Sequence, residues 1–485
     1  MTAGTPPSEH GTDPAVPGGH GAAPQPGRGA PDLRRVFAAW WPLAGSWLLM
    51  SLELPVVAAV MARLPEPDIS LAAYGGVVFP LSLVIEGPVI MLLAASTALS
   101  RDRPSYLLIR RFMNGIGLAL TLLHGAVAFT PLFDVVVGGL MGAPESIHEP
   151  ARIGLRIMTP WTWAIAYRRF QQGVLIRHGR SGTVGMGTLS RLGTNILVLA
   201  AGYAVGGVPG IVVGSAAVAA GVTAEAVYVG LRVRSVLRER LRPEPEPGEE
   251  LLTMGRFIAF YAPLALTPFI TLAAQPISSA AISRMPLPVE SLALIPVIHG
   301  VTFMFRSLGF AFNEVVVALL DLRGALLPLR KFALLLSVFG SSVLLLLTVT
   351  PLGRFYVGEL SGLRPELTDL GLRAMWLVVP MPALSVAIHY FQGILVHGRR
   401  TMAVTEAVAV NFAAMVGLLA LGVYFGGMTG LFVGLGAHLA GNLIQTAWLA
   451  HRSRSARRRL LALAGAATAP GRPARPVVTE GSEAD

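Results

Sequence analysis

The sequence predicts an all-α integral membrane protein with about twelve transmembrane helices in two six-helix parallel repeats. Three observations predict this fold class. Hydrophobic residues make up 53% of the 485 residues and charged residues only 13%, whereas a soluble chain carries about 25% charged residues. Apolar runs of about 20 residues, the length that spans a bilayer, recur along the chain. The second half also repeats the first at a nearly fixed offset.

The candidate spans come in two sets of six, separated by a charged, proline-rich segment. They cover residues 36–62, 71–99, 111–138, 153–177, 182–206 and 209–231, and then 257–284, 292–320, 331–356, 371–396, 401–425 and 428–450. The predicted domains are a disordered tail over 1–33, an N-terminal lobe over 34–231, a cytoplasmic linker over 232–254, a C-terminal lobe over 255–451 and a basic, disordered tail over 452–485.

The distribution of arginine predicts the orientation of the spans. Arginine-rich loops, such as the one with Arg101 and Arg103, alternate with loops that hold little basic charge, such as 206–209. Because basic residues stay on the cytoplasmic side of short loops, both termini are predicted to be cytoplasmic. The expected location is a cell membrane, the inner membrane of a bacterium. The net charge of +11 lies mostly in these loops, so we expect no nucleic-acid partner.

The internal repeat is visible at glycine, proline and polar positions. A numbering shift of 220 places the glycines of one set on those of the other: Gly206, Gly207, Gly210 and Gly214 on Gly426, Gly427, Gly430 and Gly434. A shift of 221 places Pro55 on Pro276 and Arg63 on Arg284. Because each repeat holds an even number of helices, the pseudo-axis should run along the membrane normal. Parallel repeats of this kind are typical of transporters with a site at the repeat interface.

The chain lacks the motifs of an enzyme or an ATP-driven pump. It has no cysteine, which excludes disulfides, thiolate metal sites and cysteine nucleophiles. It also lacks the phosphate-binding motif of ATPases and the His-Glu-x-x-His motif of zinc proteases. We therefore predict a non-enzymatic protein with no metal and no other cofactor. The expected partners are the lipid bilayer, a small-molecule substrate and a coupling H⁺ or Na⁺, and the expected state is a monomer.

Ionisable residues within spans are costly and therefore mark candidate sites. The candidates for substrate or ion binding, expected to face the space between the lobes, are Glu53, Glu86, Gln275, Arg306, Asn313 and Glu314. The secondary candidates for a polar interior are His124, Arg169, Gln172, Glu225, His389, Gln392 and Asn411. Structural pairing, for example between Glu86 and Arg306, is the alternative interpretation.

Two parallel halves, kinked first and seventh helices and no nucleotide site resemble the multidrug and toxic compound extrusion (MATE) family. They also resemble the wider multidrug-oligosaccharidyl-lipid-polysaccharide (MOP) flippase superfamily. Local runs resemble most the progressive ankylosis (ANK) branch: Leu71-Ala72-Ala73-Tyr74-Gly75, Gly87-Pro88, Ser100-Arg101-Asp102-Arg103 and Gly173-Val174-Leu175-Ile176-Arg177-His178. The resemblance implies a secondary active transporter, an exporter or antiporter, with alternating access through a central cavity. Its solute would be small and anionic or amphipathic.

Two other classes of function stay open. A flippase for a lipid-linked saccharide or another lipid headgroup should line its cavity with several arginines. A non-transporting scaffold or membrane-embedded enzyme should have its intramembrane charges fully paired. For the transporter, the hypothesis is that Glu53 or Glu86 takes up a proton from outside as solute leaves, which couples the two flows.

Overall fold

The computed structural model describes residues 31–245, 250–322, 324–398 and 400–466. Within these ranges the chain is helical, and the only β-type pairing is an isolated bridge between Asp102 and Arg242. The N-terminal tail predicted over 1–33 lies almost wholly outside the described residues, and so does the end of the C-terminal tail.

The N-lobe contains nine α-helices, which form six membrane crossings within the described residues. They are α1 (Leu33–Ser51), α2 (Glu53–Met61), α3 (Pro67–Ala73), α4 (Phe79–Glu86), α5 (Leu92–Leu99), α6 (Arg103–Phe129), α7 (His148–Arg177), α8 (Ser181–Val205) and α9 (Gly210–Glu239). The first crossing consists of α1 and α2. The second consists of α3, α4 and α5, with a π-helical turn, Tyr74–Val78, between α3 and α4 and a 3₁₀ turn, Gly87–Val89, between α4 and α5.

The C-lobe repeats this pattern and adds a final short helix. Its helices are α10 (Met254–Ile282), α11 (Pro288–Leu319), α12 (Leu326–Val349), α13 (Pro351–Arg354), α14 (Pro365–Val378), α15 (Met381–His397), α16 (Thr401–Phe425), α17 (Gly430–Arg452) and α18 (Arg454–Ala466). Here α14 and α15 form one crossing.

Most of the predicted crossings match the structure closely, but the third and ninth end earlier than predicted. Helices α6 and α12 stop at Phe129 and Val349, where Thr-Pro pairs follow. Proline at these positions cannot continue the helix. Ten segments of the described chain are long and apolar enough to cross a membrane. The remaining two crossings, α7 and α17, have 30 and 23 residues, and their arginine, histidine and amide side chains lower the hydropathy.

The repeat predicted from the sequence is present in the backbone. Helices α8 and α16 begin and end at positions that match under the shift of 220, and both are followed by a glycine with positive φ, Gly206 and Gly426. Among the described residues, the only non-glycine residues with positive φ are Glu66 and Leu287, which match under the shift of 221. The left-handed conformation is unusual for such residues, so its recurrence at matched positions marks the same hairpin in both lobes.

A π-helical turn explains why the repeat offset changes from 221 to 220. The second crossing of the N-lobe, Pro67–Leu99, has 33 residues, and its counterpart Pro288–Leu319 has 32. The π turn Tyr74–Val78 lies in the first of these, whereas α11 is α-helical throughout. A single π turn accommodates one additional residue in a helix. The residues that follow therefore match at 220, including Glu86 and Arg306.

The first helix of each lobe begins against the opposite lobe. Trp40 on α1 is buried, and its Nε1 donates to the carbonyl oxygen of Leu308 on α11 at 3.0 Å. In the matching contact, the hydroxyl of Tyr261 on α10 donates to the carbonyl oxygen of Pro88, and its ring lies 5.2 Å from that of Phe112 on α6. Each lobe is therefore completed by a helix of the other.

Two predicted boundaries near the lobe ends are wrong. The linker was expected from residue 232, but α9 continues to Glu239, because its apolar face packs as far as Val236. The tail was expected to be disordered from residue 452, but Arg454–Ala466 form α18. Its basic residues alternate with small and apolar ones, and Ala456 and Leu460 pack against the C-lobe core.

We call the side of the molecule with residues 240–245 and 250–253 the linker face. The side with the hairpins 62–66 and 283–287 is the hairpin face.

Candidate functional site

Six side chains of the N-lobe form a buried hydrogen-bonded network, which we call the N-lobe ionic network: Glu53, Arg168, Gln172, Arg191, Asn195 and Glu225. At its centre is Glu225 of α9, which has no solvent exposure. Its Oε2 accepts from Arg168 Nη1 at 2.8 Å, and its Oε1 accepts from Gln172 Nε2 at 2.9 Å. Both donors lie on α7, four residues apart, and so share one helix face.

Arg191 connects Glu225 to the break in the first crossing. Its Nη2 lies 2.9 Å from Glu53 Oε2, and its Nε lies 3.8 Å from Glu225 Oε2. Asn195, one turn further along α8, donates from Nδ2 to Glu53 Oε1 at 2.6 Å. The network therefore joins α2, α7, α8 and α9. Its two carboxylates balance its two guanidinium groups.

Close packing of α8 against α9 brings the side chains of the network within hydrogen-bonding distance of one another. A Cβ atom added at Gly221 on α9 would lie 1.7 Å from Asn195 Oδ1, and one at Gly187 on α8 would lie 3.4 Å from Glu225 Cγ. Larger residues at either position would separate α8 from α9. Glycine in membrane helices commonly permits such close approach.

A second buried carboxylate, that of Glu86, lies beside this network at the end of α4. Glu86 is 5% exposed, and its Oε2 has no hydrogen-bond partner among the described residues. Its electrostatic neighbours are Arg169, Arg168 and Arg191, in order of effect. The next residue, Gly87, packs against Phe269 of α10 in the C-lobe. A Cβ atom added at Gly87 would lie 2.9 Å from Phe269 Cδ2. Glu86 is therefore next to the boundary between the lobes.

Glu53 is near the same boundary. Two residues further along the chain, the ring of Pro55 packs against Gly300 of α11. A Cβ atom added at Gly300 would lie 2.9 Å from Pro55 Cγ. The alternative pairing of Glu86 with Arg306 does not occur within the described residues. Instead, the carboxylates of the N-lobe are surrounded by arginines of the same lobe.

The C-lobe keeps the position of this network but not its charge. At the places that match Arg191 and Glu225, Asn411 Nδ2 donates to Gln445 Oε1 at 2.7 Å. The α16–α17 contact is therefore preserved with neutral amides. The two lobes differ in electrostatics although they share their backbone design.

Four basic or titratable side chains lie together in the C-lobe, and we call them the C-lobe basic cluster: His299 and Arg306 on α11, His389 on α15 and His438 on α17. The rings of His299 and His438 are 5.8 Å apart. His389 Nδ1 lies 2.7 Å from the carbonyl oxygen of Ser385, and its ring packs edge-on against Phe310 at 4.7 Å. Arg306 acts electrostatically on all three histidines.

The guanidinium of Arg306 has neither a carboxylate nor a hydrogen-bond acceptor among the described residues. Arg306 lies on a half-buried stripe of α11 with His299, Phe303, Phe310 and Asn313, while most of the residues between them are buried. This spacing follows the helical period. One face of α11 is therefore only partly covered by other helices and carries an unpaired cation.

The remaining predicted residues do not join either group. His124 is buried in the α6–α7 contact. Its Nδ1 lies 2.9 Å from Thr162 Oγ1 and its Nε2 lies 3.1 Å from the carbonyl oxygen of Leu155, so its role is structural. Gln275 and Gln392 are half-buried, and Glu314 is exposed on α11. No side-chain hydrogen bond to these three is found within the described part of the chain. No group of three or more histidine, aspartate or glutamate residues there could hold a metal ion.

Sequence reasoning missed three residues of these two groups: Asn195, His299 and His438. Arg168 and Arg191 stood out as ionisable residues within spans but were not among the predicted site residues. A spacing signal was present for two of the three missed residues. Asn195 follows Arg191 by four residues, and His299 precedes Arg306 by seven, so each lies on the same helix face as a charged residue. His438 gave no such signal, because its neighbours His299 and Arg306 come from another helix.

On the hairpin face, arginines of each lobe bind the other lobe in a reciprocal pattern. Arg63, after α2, donates to the carbonyl oxygen of Glu359 in the C-lobe. Its repeat mate Arg284 donates to the carbonyl oxygens of Gly139, Leu140 and Met141 in the N-lobe, at 2.8 to 3.0 Å. Gly139 is the mate of Glu359, so the two contacts are related by the pseudo-two-fold axis. An ion pair between Arg364 and Asp68 adds a third contact: it too joins the lobes.

No family profile and no curated protein sequence matches the chain. Among solved structures, it is similar to a multidrug resistance MATE family transporter of the MOP superfamily in its inward-facing conformation, with a TM-score of 0.67 and 14% identity. That match covers 87% of this chain and 100% of the other. The chain has the MATE fold. The predicted fold class is thereby confirmed.

Two further structures with the MATE fold extend the comparison. A MOP superfamily transporter from Pyrococcus furiosus, for which a reversed polarity of the binding pocket suggests a different function, gives a TM-score of 0.60 at 14% identity over 89% of this chain and 97% of that one. A MATE transporter in the outward-facing conformation gives 0.54 at 15% identity over 89% and 97%. These similarities give no support to the ANK branch suggested by the local sequence runs.

Proposed function

We propose that this chain is a secondary active transporter that moves a small anionic or amphipathic solute by alternating access between its lobes. The observation that carries the proposal is the unpaired guanidinium of Arg306 on a half-buried face of α11, within the membrane-spanning part of a MATE fold. An intramembrane charge without a protein partner is costly. A negative group of a solute at Arg306 would remove that cost, and the three histidines of the C-lobe basic cluster add hydrogen-bonding capacity around it.

In this proposal, carboxylates of the N-lobe couple solute transport to an ion gradient. Of the two carboxylates predicted to take up a proton, Glu53 is held by Arg191 and Asn195. Glu86 keeps one oxygen without a partner and adjoins the lobe boundary at Gly87. Glu86 is therefore the better proton acceptor, and Glu53 positions Arg191. Protonation of Glu86 would release the surrounding arginines to rearrange as the lobes move.

The experiment is transport by purified protein in liposomes with an imposed pH gradient. The solutes are inorganic phosphate, citrate and an aromatic carboxylate, with an organic cation for comparison. We expect gradient-driven flux of at least one anion, lost in Glu86→Gln and in Arg306→Gln and retained in Glu149→Gln, which removes an exposed carboxylate outside both groups. Normal flux with unchanged pH dependence in Glu86→Gln would show that Glu86 is structural. Flux of the cation alone would overturn the anionic solute.

The orientation proposed from the arginines receives independent support. The shape of the chain is closer to an inward-facing than to an outward-facing MATE transporter, with TM-scores of 0.67 and 0.54. The lobes are joined at the hairpin face by Arg63 and Arg284. An inward-facing transporter is closed on its outer side, so the hairpin face would be external and the linker face cytoplasmic. Cysteines at Ser235 and Glu366 should then react with impermeant reagents from opposite sides, and reaction from one side would contradict this topology.

A further inference from the structure

A basic pocket of about 850 Å³ lies on the linker face of the C-lobe, away from both groups described above. It is formed where three segments meet: the residue before α16, the end of α17 and the first turns of α18. Its lining consists of Arg400, Met402, Ala403, His451, Arg452, Arg454, Ser455 and Arg458. Four guanidinium groups and an imidazole thus surround one concave space.

The charges of this pocket are only partly balanced by the protein. Arg452 Nη2 lies 3.0 Å from Glu406 Oε1, and Arg400 Nη1 donates to the Ser455 hydroxyl at 2.8 Å. Arg454 and Arg458 have no ion pair or side-chain hydrogen bond among the described residues. Guanidinium groups held around one space repel each other unless an anion lies between them.

The pocket exists because α18 is a separate helix that packs against the C-lobe core through Ala456 and Leu460. Ser453, between α17 and α18, is fully buried. Arg457 fastens α18 to the C-lobe, since its Nη2 donates to the carbonyl oxygen of Ala450 at 2.7 Å and its guanidinium lies 4.9 Å from the Phe391 ring centre. The side chains of Arg454 and Arg458, one turn apart on α18, are thereby held on the pocket side.

The floor of the pocket is the first turn of α16. Met402 and Ala403 belong to this turn, and Met402 is 72% exposed. Backbone N–H groups at the start of a helix favour an anion, and they act here together with the guanidinium groups around them. The exposed Met402 side chain supplies an apolar surface directly beside this anion site.

We propose that this pocket binds the phosphate group of an anionic phospholipid from the adjoining leaflet. The pocket lies where α16 and α17 leave their membrane-spanning segments, which is the depth of lipid headgroups. Unpaired guanidinium groups match a phosphodiester, and the exposed Met402 accommodates the start of an acyl chain. A free phosphate ion would use the guanidinium groups equally well but would leave the apolar side of the pocket without a role. The proposal does not depend on the transported solute.

The repeat provides a closely matched control. At the positions that match under the shift of 220, the end of α9 carries Arg232, Arg234, Ser235 and Arg238 in place of Arg452, Arg454, Ser455 and Arg458. There the helix continues without interruption to Glu239. The double variants Arg454→Gln/Arg458→Gln and Arg234→Gln/Arg238→Gln therefore remove equal charge from the same face, but only the first alters the pocket.

The test measures lipid binding to the full-length protein by native mass spectrometry, with phosphatidylglycerol and phosphatidylethanolamine as probes. We expect a phosphatidylglycerol adduct that the pocket variant binds roughly tenfold or more weakly, because each basic residue near a lipid headgroup contributes measurably to binding. The control variant should bind like the unaltered protein. If both variants bind phosphatidylglycerol equally weakly, the effect comes from general surface charge and the proposal is overturned.

Two further arms separate the sources of the phosphate group and guard against misfolding. Displacement of phosphatidylglycerol by millimolar inorganic phosphate would assign the pocket to a free anion and overturn the lipid. Phosphatidylglycerol should also raise the thermal unfolding midpoint of the unaltered protein more than that of the pocket variant. A pocket variant with an unaltered midpoint without lipid and an unaltered lipid response would refute the site.

Discussion

At the scale of single residues, the N-lobe ionic network determines which charges are free to act. Glu225 is the central acceptor of hydrogen bonds from Arg168 and Gln172, Arg191 lies 3.8 Å away, and Glu225 has no solvent exposure. A fully buried ion pair contributes little net stability when intact, but breaking it leaves an uncompensated buried charge. Glu225 is thus structural. Glu86, whose Oε2 has no hydrogen-bond partner among the described residues, is the carboxylate proposed to take up a proton.

This assignment predicts that Glu225→Gln is strongly destabilising. The substitution keeps the shape of the side chain but leaves Arg168 without its counter-ion, a loss of about 3–5 kcal/mol for a buried pair. The measurement is the thermal unfolding midpoint in detergent. The control is Glu406→Gln, which breaks the exposed pair with Arg452 and should cost less than about 1 kcal/mol. Similar small effects in both variants would mean that the network relaxes around the missing charge.

The sequence allowed the charged residues to be found but not their partners. Glu53, Glu86 and Glu225 were identified because a carboxylate within an apolar run is conspicuous. Their pairing with Arg168 and Arg191 depends on how α7, α8 and α9 approach one another, which is a matter of tertiary packing around Gly187 and Gly221. The alternative interpretation paired Glu86 with Arg306, but arginines of the N-lobe surround Glu86 instead.

At the scale of elements, the π turn Tyr74–Val78 brings the second and eighth crossings together. Gly75 on this turn packs against Pro296, its own repeat mate at an offset of 221. A residue that meets its own mate lies at the pseudo-two-fold axis. A Cβ atom at Gly75 would lie 2.5 Å from Pro296 Cδ and 3.2 Å from the carbonyl oxygen of Leu292, so only glycine fits while the lobes are in contact here.

We therefore predict that Gly75→Ala destabilises this contact between the lobes. Overpacking of a tight contact typically costs about 1–3 kcal/mol, and the thermal unfolding midpoint should fall accordingly. Gly115→Ala, on α6 with no atom near its added Cβ, should leave the midpoint unchanged or raise it. The double variant Gly75→Ala/Pro296→Ala should recover part of the loss, because it removes the Cγ and Cδ atoms that clash. A lack of recovery would locate the strain in the π turn itself.

The helices themselves were largely predictable, because apolar run length and Thr-Pro or glycine boundaries are local signals. The π turn was not predictable, although its effect appeared as the change of offset from 221 to 220. Helix α18 was missed because its sequence is dominated by arginine. Its order depends on the docking of Arg457, Ala456 and Leu460 against the C-lobe.

At the scale of the whole molecule, the reciprocal arginine contacts make the hairpin face the side on which the lobes are joined. Arg63 and Arg284 reach across the pseudo-axis to backbone carbonyl groups at the ends of matching π-helical turns, Phe355–Leu360 and Asp134–Leu140. Carbonyl oxygens near a helix C-terminus carry partial negative charge, which favours a cation there. The alternating access proposed above would require these contacts to break when the lobes separate on this face.

The double variant Arg63→Ala/Arg284→Ala is therefore predicted to shift the protein towards separation of the lobes at the hairpin face. The natural chain has no cysteine, so spin labels can be placed at Glu145 and Glu366, one exposed site on each lobe of this face. Loss of about 1.4 kcal/mol would change the ratio of the two states roughly tenfold, and the longer inter-label distance should become more populated. The control is Arg152→Ala, which removes an ion pair with Asp134 on the same face but within one lobe. It should leave the distance distribution as in the unaltered protein. An unchanged distribution in the double variant would mean that the other contacts between the lobes, such as Gly75 against Pro296 and Arg364 with Asp68, hold them together without these two arginines.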